Sequence, residues 1–356
     1  MTANHYMKEN MNSPFKFLDS YSREDKHIFF GREAETEALY EKLFESNLIL
    51  LYGASGTGKT SLINCGVSNK FQDTDWFAMF VRRGTNLNES LHREIRRHAI
   101  TPIRDNVALA PALKSLYYDY YKPIYLIFDQ FEELFILGNE HEQKAFLEDL
   151  GQLLRVNIQV TVILSMREEY IASLSEYEKT IPTLFDNRFR LEKINRNNLK
   201  RVIEGTTTAL GIEIHDPEIT TETLIERLSH KKSGIDLTHV QVYLDRLYQK
   251  YYSMYGDKLP VVFDAKLVEM TGEFEDVLAE YLSEQIKQLG EEIGRPDVPL
   301  AVLYTLVSDD GTKRSLPVEE IRAQLPSNID ISQDSINLCV RRFEEMRILK
   351  NTGPTI

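Results

Sequence analysis

One stretch, Gly53-Ala-Ser-Gly-Thr-Gly-Lys-Thr-Ser61, limits what this chain can fold into more than any other. Leu48-Ile-Leu-Leu-Tyr52 before it is an apolar run of strand length, and Ser61-Leu-Ile-Asn-Cys-Gly-Val67 after it reads as the first turns of a helix. Between them the residues fit G-x-x-x-x-G-K-[ST]. Glycines let backbone N–H groups turn inward, and the N-terminus of the helix adds partial positive charge, so such a loop suits phosphate. Gly53, Ser55, Gly56, Thr57, Gly58, Lys59, Thr60 and Ser61 are therefore candidate nucleotide contacts. Lys59 would reach the β- and γ-phosphates, and Thr60 would hold Mg²⁺. A glycine-rich turn with a chance lysine would not account for the matching flanks.

The loop sits in an alternating pattern. Apolar strands read at Leu48–Tyr52, Trp76–Val81, Ile124–Phe128 and Val160–Leu164, with a shorter one at Phe189–Ile194. Helical spacing fills 59–69, 87–99, 107–120, 141–154 and 168–175. This predicts an α/β fold, a parallel sheet covered by helices on both faces. Residues 1–12 read as disordered, and a lead-in over 13–45 ends in a helix from Arg32 to Phe44. The nucleotide-binding domain thus spans 13–195. After Ile194 the strand signal stops, and 196–210, 217–230, 236–255 and 264–289 carry helical spacing. In the third of these Val240, Leu244, Leu247 and Tyr251 share a face. This predicts a helical lid over 196–290. Gly290 to Pro299 reads as a linker by composition. A small domain over 291–356 follows: a helix, a turn at Asp309-Asp-Gly-Thr312, helices at 317–325 and 333–346, then Arg347-Ile-Leu-Lys350. That order resembles a winged helix. The chain ends at Gly353-Pro-Thr-Ile356, where the wing's return strand is still to come, so the expectation is a truncated wing and a fragment of a longer protein.

Composition narrows the class. Of 356 residues 42% are hydrophobic and 27% charged, which is ordinary for a protein with sizeable cores. No apolar run approaches the ~18 residues of a membrane helix, and Met1 to Asn12 lacks the apolar centre of a signal peptide. Cys65 and Cys339 lie far apart without metal-ligand spacing, so we expect reduced thiols and a cytoplasmic location. A net charge of −13 disfavours nucleic acid as a non-specific partner. The pattern gives no reason to expect a membrane partner.

Three further groups carry chemistry. Ile124-Tyr-Leu-Ile-Phe-Asp-Gln-Phe-Glu-Glu133 is an apolar strand ending in an acid, which places Asp129 to reach Mg²⁺ through water. Glu132 and Glu133 follow within a turn, and either could polarise the attacking water; we place Glu133 ahead of Glu132. The other would be a helix-start carboxylate facing water. Val160-Thr-Val-Ile-Leu-Ser-Met-Arg167 ends in polar residues at the sheet's C-terminal edge, where α/β sheets bind ligands, so Arg167 could sense the γ-phosphate. A surface pairing of Arg167 with Glu168 or Glu169 is the bland reading. Phe29-Phe30-Gly31-Arg32-Glu33 could pack on a base and present backbone to its edge, although the aromatics could equally be core. Arg82, Arg83, Arg188 and Arg190 flank strands and could serve a neighbouring subunit's phosphate, though such arginines are more often solvated. His239 reads as a packing residue before a nucleotide contact, and Tyr117-Tyr-Asp-Tyr-Tyr121 as packing before a stacking platform.

Ser13-Pro-Phe-Lys-Phe17, Phe29-Phe-Gly-Arg-Glu33, the phosphate loop and Asp129-Gln-Phe-Glu-Glu-Leu-Phe135 together resemble the bacterial STAND NTPases of the novel-STAND type, relatives of AAA+ and NACHT ATPases. The resemblance covers about residues 13–356. It implies an ATPase that works as a switch, held closed by lid and winged helix with ADP bound and opening to a homo-oligomer with ATP. Trigger, effector and sensor regions would lie outside this stretch, and many relatives act in signalling or defence against phage. By analogy Gly31 and Arg32 border the adenine, with Phe30 beside them a candidate nucleotide contact, Lys59 and Thr60 hold phosphate and Mg²⁺, and Arg167 is the sensor. Two departures stand out. Gly234-Ile-Asp-Leu-Thr-His239 lacks the family's proline after a lid glycine, which puts a lid contact to adenine in doubt. The histidine-containing segment that usually follows the winged helix would lie beyond residue 356.

Two other functions remain open. Origin-recognition ATPases also join an AAA+ core to a winged helix, which would make this a DNA-associated ATPase. Residues 296–356, however, hold seven basic and nine acidic side chains, and a DNA reader should be net basic. A nucleotide-binding scaffold without useful hydrolysis is the third reading. No guanine-specific Asn-Lys-x-Asp run is present, and adenine is not thereby specified.

Overall fold

A computed structural model describes residues 13–16, 19–105, 107–228, 235–256, 258–308, 314–326, 329, 331–345 and 349. The expected disordered residues 1–12, the turn at 309–312, Gly234 and most of the wing from 346 onward lie outside them. Two compact units divide between Phe274 and Glu275.

The first unit opens with a 3-10 helix (Arg23–Ile28), followed by α1 (Glu33–Lys42) and β1 (Leu48–Gly53). The glycine loop leads into α2 (Lys59–Ser61), which continues as a π turn (Leu62–Gly66) and a 3-10 turn (Val67–Lys70). Then come β2 (Phe77–Val81), α3 (Leu87–His98), α4 (Leu109–Tyr120), β3 (Ile124–Phe128), α5 (Glu133–Ile136), α6 (Glu140–Leu154), β4 (Val160–Arg167), α7 (Ile171–Ser175) and β5 (Arg188–Arg190). The five strands form one sheet in the order β2-β3-β4-β1-β5, and every pairing is parallel.

Successive strand side chains point to opposite faces, so a strand buried on both needs an unbroken apolar run. Leu48 and Leu50 accordingly join Met79, Val81, Leu126, Phe128, Val162 and Leu164 under α3, α4 and α6. Ile49 and Leu51 join Tyr125, Ile127 and Ile163 under α1 and the helix after the glycine loop, through Leu39, Leu62, Ile63 and Val67. Helix starts are fixed by side chains that take otherwise unpaired N–H groups. Asn86 accepts from Glu89 N–H at 3.1 Å, and Asn139 from Glu142 N–H at 2.9 Å.

Past the sheet lie α8 (Arg196–Ala209), β6 (Ile212–Ile214), α9 (Pro217–Leu228), α10 (Leu237–Tyr255), β7 (Val261–Phe263) and α11 (Ala265–Thr271). The expectation of helices alone is corrected here, because β6 and β7 pair in parallel. Each strand is three residues long, too short to show a period of two in sequence. The single helix expected over 264–289 is also corrected: α11 stops at Gly272, whose φ is 86°.

The second unit holds α12 (Phe274–Ile293) from its second residue on, α13 (Val298–Thr305), α14 (Val318–Gln324) and α15 (Gln333–Glu345) around Leu289, Val302, Ile321, Ile336, Cys339 and Phe343. The expected linker at 290–299 is mostly helix. Gly290 lies inside α12, where a Cβ would stand 2.7 Å from Pro296 Cα, so its glycine serves close packing rather than chain flexibility. Among the described residues no helix is long and apolar enough to cross a membrane.

Candidate functional site

Strand register assembles the site. Gly53 pairs with Arg167, Val81 with Phe128 and Phe128 with Leu164. The residues that follow or end these strands, Arg82, Asp129 and Arg167, therefore line the same C-terminal edge as the glycine loop.

The loop is shaped by its glycines. Gly56 and Gly58 have φ of 71° and 89°, a left-handed backbone that side chains disfavour. Gly53 is needed for a different reason: a Cβ there would lie 2.2 Å from the backbone oxygen of Leu191. Thr57 is buried, and its hydroxyl donates to Ala54 O at 3.0 Å. Ser55 is exposed. Lys59 Nζ donates to Gly53 O at 2.8 Å and Ala54 O at 2.9 Å. Burial pushes the Lys59 pKa down, and Glu132 is the strongest charge opposing that shift. Ser61 points elsewhere, since its Oγ accepts the N–H of Tyr21 at 3.1 Å and so ties the lead-in to the helix.

Thr60 Oγ1 donates to Asp129 Oδ1 at 2.9 Å. Hydroxyl lone pairs and a carboxylate thus converge beside the loop, and oxygen donors of this kind suit Mg²⁺. Among the described residues no three His, Cys, Asp or Glu side chains gather into a metal site. The residues fit a cation that takes its remaining ligands from phosphate and water.

Asp129 is followed by Gln130, a non-glycine residue with φ of 57°. This left-handed turn lets Phe131 N–H donate to Ser165 O at 2.9 Å. Glu132 is then carried to β4. Its Oε2 accepts the Arg167 N–H at 3.2 Å, and its Oε1 lies 3.2 Å from Arg167 Nε. Burial raises the Glu132 pKa, while Arg167 and Lys59 pull it down. Glu133 is also buried, but Glu132 is the carboxylate brought to Arg167. Arg167 pairs with Glu132 rather than with Glu168, which takes Arg190 at 3.0 Å.

Upstream residues brace the loop. Phe30 lies on α8, where a Cβ on Gly205 would meet its ring at 2.7 Å. Gly31 has φ of 79° and presses on Val202 and Asn198 O of the same helix. Arg32 is buried, donating to Thr57 O at 3.1 Å and Glu192 O at 2.8 Å, and it pairs with Glu35. Among the described residues its buried Nε has no hydrogen-bond partner.

Sequence reasoning missed two contacts. Arg82, which reads as a solvated side chain, is bound to Asp129. Asp236 and Leu237, at the start of α10, close on the loop: Leu237 N–H donates to Gly56 O at 3.1 Å. The Asp236 carboxylate stands where a Gly56 side chain would be, within 1.9 Å of its Cβ position. Asp236 also caps α10 by accepting the Thr238 N–H at 2.9 Å. An aspartate just before an apolar helical run was the available signal. His239, by contrast, stacks on Phe274 with ring centroids 4.2 Å apart.

Known proteins can be set beside this geometry. The model of the family described as Novel STAND NTPase 1 matches residues 14–353. The ADP form of the Aeropyrum pernix ORC2 protein is similar with a TM-score of 0.54 at 18% identity, over 89% of this chain and 86% of that one. The same protein in its ADPNP-ADP complexes gives 0.53 at 17% identity, over 91% and 88%. The A. pernix ORC1 protein in complex with DNA gives 0.50 at 15% identity, over 90% and 85%. At such identities the likeness speaks for the fold alone. No curated protein matches the chain.

Proposed function

Because the chain belongs to the Novel STAND NTPase 1 family, and is thus a nucleotide-binding P-loop NTPase, we propose that it is a nucleotide-dependent molecular switch. It binds ATP and ADP with Mg²⁺ and hydrolyses ATP slowly. Exchange of the two nucleotides is coupled to self-association and signalling in the cytoplasm, with anti-phage defence as the setting. One observation carries this reading: the lid rests on the phosphate loop, through Leu237 N–H on Gly56 O and the Asp236 carboxylate over Gly56. A loop covered in this way favours retention of nucleotide over rapid turnover.

The side chains divide the work. The loop's N–H groups and Lys59 bind phosphate. Thr60 and Asp129 would hold Mg²⁺, which supplies charge neutralisation at the phosphates. Arg32 fixes the loop from below by holding Thr57 O. We place Glu132 ahead of Glu133 as the residue that orients and activates water, since Glu132 contacts Arg167 and is coupled to Lys59. A buried carboxylate with a raised pKa is a stronger base than an exposed one. Arg167 joins that base to the γ-phosphate position and acts as the sensor.

Sedimentation of the protein in ADP and in a non-hydrolysable ATP analogue tests the switch. A larger species with the analogue alone is expected, together with turnover below the ~1 s⁻¹ low end of common enzymes. One unchanged species in both nucleotides, or turnover of tens per second, contradicts it. The DNA-associated reading draws only on fold likeness. Against it stand nine acidic and seven basic residues over 296–356, and in the second unit Arg342 is paired with Glu292 at 2.9 Å.

A further inference from the structure

One oxygen of Asp129 is fully used. Arg82 directly follows β2, and the pairing of Val81 with Phe128 sets it beside Asp129. Its Nε donates to Asp129 Oδ2 at 3.1 Å, and its terminal NH2 group donates to the same oxygen. Two hydrogen bonds occupy both acceptor sites of that oxygen. Oδ1 already takes the Thr60 hydroxyl, so among the described residues one acceptor site remains on the carboxylate. Asp129 is 5% exposed and Arg82 24%, so solvent and salt screen the pair weakly.

A separate ion pair anchors the chain beside it. The turn after β2 is fixed by the neighbouring arginine: Arg83 binds Glu142 on α6 through Nε and NH2, at 3.0 and 2.7 Å. The same Glu142 takes the Leu87 N–H at the start of α3, at 2.8 Å. Arg82 reaches away from this clamp to the carboxylate that accepts the Thr60 hydroxyl.

We infer that Arg82 is a resident counter-cation of Asp129, a positioning residue that weakens divalent-cation binding at Thr60 and Asp129. The inference rests on the reading of those two residues as the Mg²⁺ site. A guanidinium stays charged at all working pH, so a metal ion approaching Asp129 meets a like charge and a partly occupied carboxylate. With few protein oxygens on offer, the cation is retained only as well as nucleotide phosphates hold it. Metal occupancy then follows which nucleotide is bound, and Arg82 sets how sharply.

The test is Mn²⁺ binding, followed by electron paramagnetic resonance with the full chain saturated in ADP, for wild type, Arg82→Gln, Arg82→Lys and Asp129→Ala. The Arg82→Gln variant keeps an amide donor for Asp129 without the charge, and melting curves establish that it is folded. Arg82→Gln is expected to bind Mn²⁺ at least ~10-fold tighter, the scale of outer-shell effects on metal sites, while Arg82→Lys stays close to wild type. Unchanged or weaker Mn²⁺ binding by folded Arg82→Gln overturns the inference. ADP binding with equal Mn²⁺ affinity in wild type and Asp129→Ala overturns instead the assignment of the metal site. If Arg82→Gln does not fold, the Arg82 Nε–H resonance, assigned by its loss in Arg82→Lys, is followed as Mg²⁺ is added to the ADP complex. A shift supports competition for Asp129, and an unmoved signal at saturating metal overturns it.

Discussion

Thr60 and Asp129 are 69 residues apart in sequence and joined by a 2.9 Å hydrogen bond, hydroxyl to carboxylate. That bond connects the glycine loop to the end of β3 and defines where a cation would sit. Asp129→Ala should therefore weaken Mg²⁺-dependent ATP binding about tenfold or more, and isothermal titration with and without Mg²⁺ checks it. Equal loss of affinity in both conditions would mean that Asp129 acts structurally.

Glu132 offers a pH test. Burial raises its pKa, so the basic form is lost as pH falls through a value above the ~4.3 of an exposed glutamate. The acid limb of the hydrolysis rate should lie above that pH. Removing Arg167, which favours the charged form, should move the limb further up. Glu132→Gln should cost about 10²-fold in rate and abolish the limb, whereas Glu133→Gln should retain it. A pH–rate profile for each variant decides between the two glutamates.

Gly53→Ala should destabilise the protein by about 1–3 kcal/mol, because its Cβ would stand 2.2 Å from Leu191 O, a backbone atom rather than the end of a flexible side chain. Denaturant unfolding measures this. A change below ~0.5 kcal/mol would show that β1 and β5 separate more easily than the contact implies.

Arg32→Lys should not behave as a conservative change. The guanidinium serves Thr57 O, Glu192 O and Glu35 at once, and an ammonium lacks that planar fork. Loss of a buried charge pair costs about 3–5 kcal/mol when one partner is left, and the lysine should recover only part of it. Melting temperature and ADP affinity should fall together, since the phosphate loop loses a support.

Asp236→Ala should loosen the lid. The variant loses the cap on Thr238 N–H, worth about 1 kcal/mol, and the contact over Gly56. Release of a fluorescent ADP analogue in stopped flow should accelerate several-fold. Unchanged release would show that Leu237 N–H on Gly56 O suffices to hold the lid.

The legible parts of this chain were those in which a single segment carries its own physics. β1, the glycine loop and its helix could be placed because burial on both faces demands an unbroken run such as Leu48–Tyr52, and because φ above zero at Gly56 and Gly58 demands glycine. The acid at the end of β3 was visible for the same reason. What depended on long-range juxtaposition was hidden. Ser61 reads as part of the phosphate loop yet holds Tyr21. Arg82 gained its partner only through the register of β2 with β3. The choice between Glu132 and Glu133 turns on the left-handed backbone at Gln130, a conformation that its side chain does not announce. β6 and β7 escaped because three residues hold no readable period, and Gly290 misled because close packing and flexibility both select glycine.

The central claim is that this is a switch that retains its nucleotide. Freshly purified protein should be denatured and the released nucleotide identified by chromatography, beside a Lys59→Ala control. Near-stoichiometric ADP from wild type, lost in the control, is the result expected of a lid resting on the phosphate loop. A wild-type protein that releases no nucleotide and also fails to bind added ATP with Mg²⁺, or a control that retains as much ADP as wild type, would contradict it.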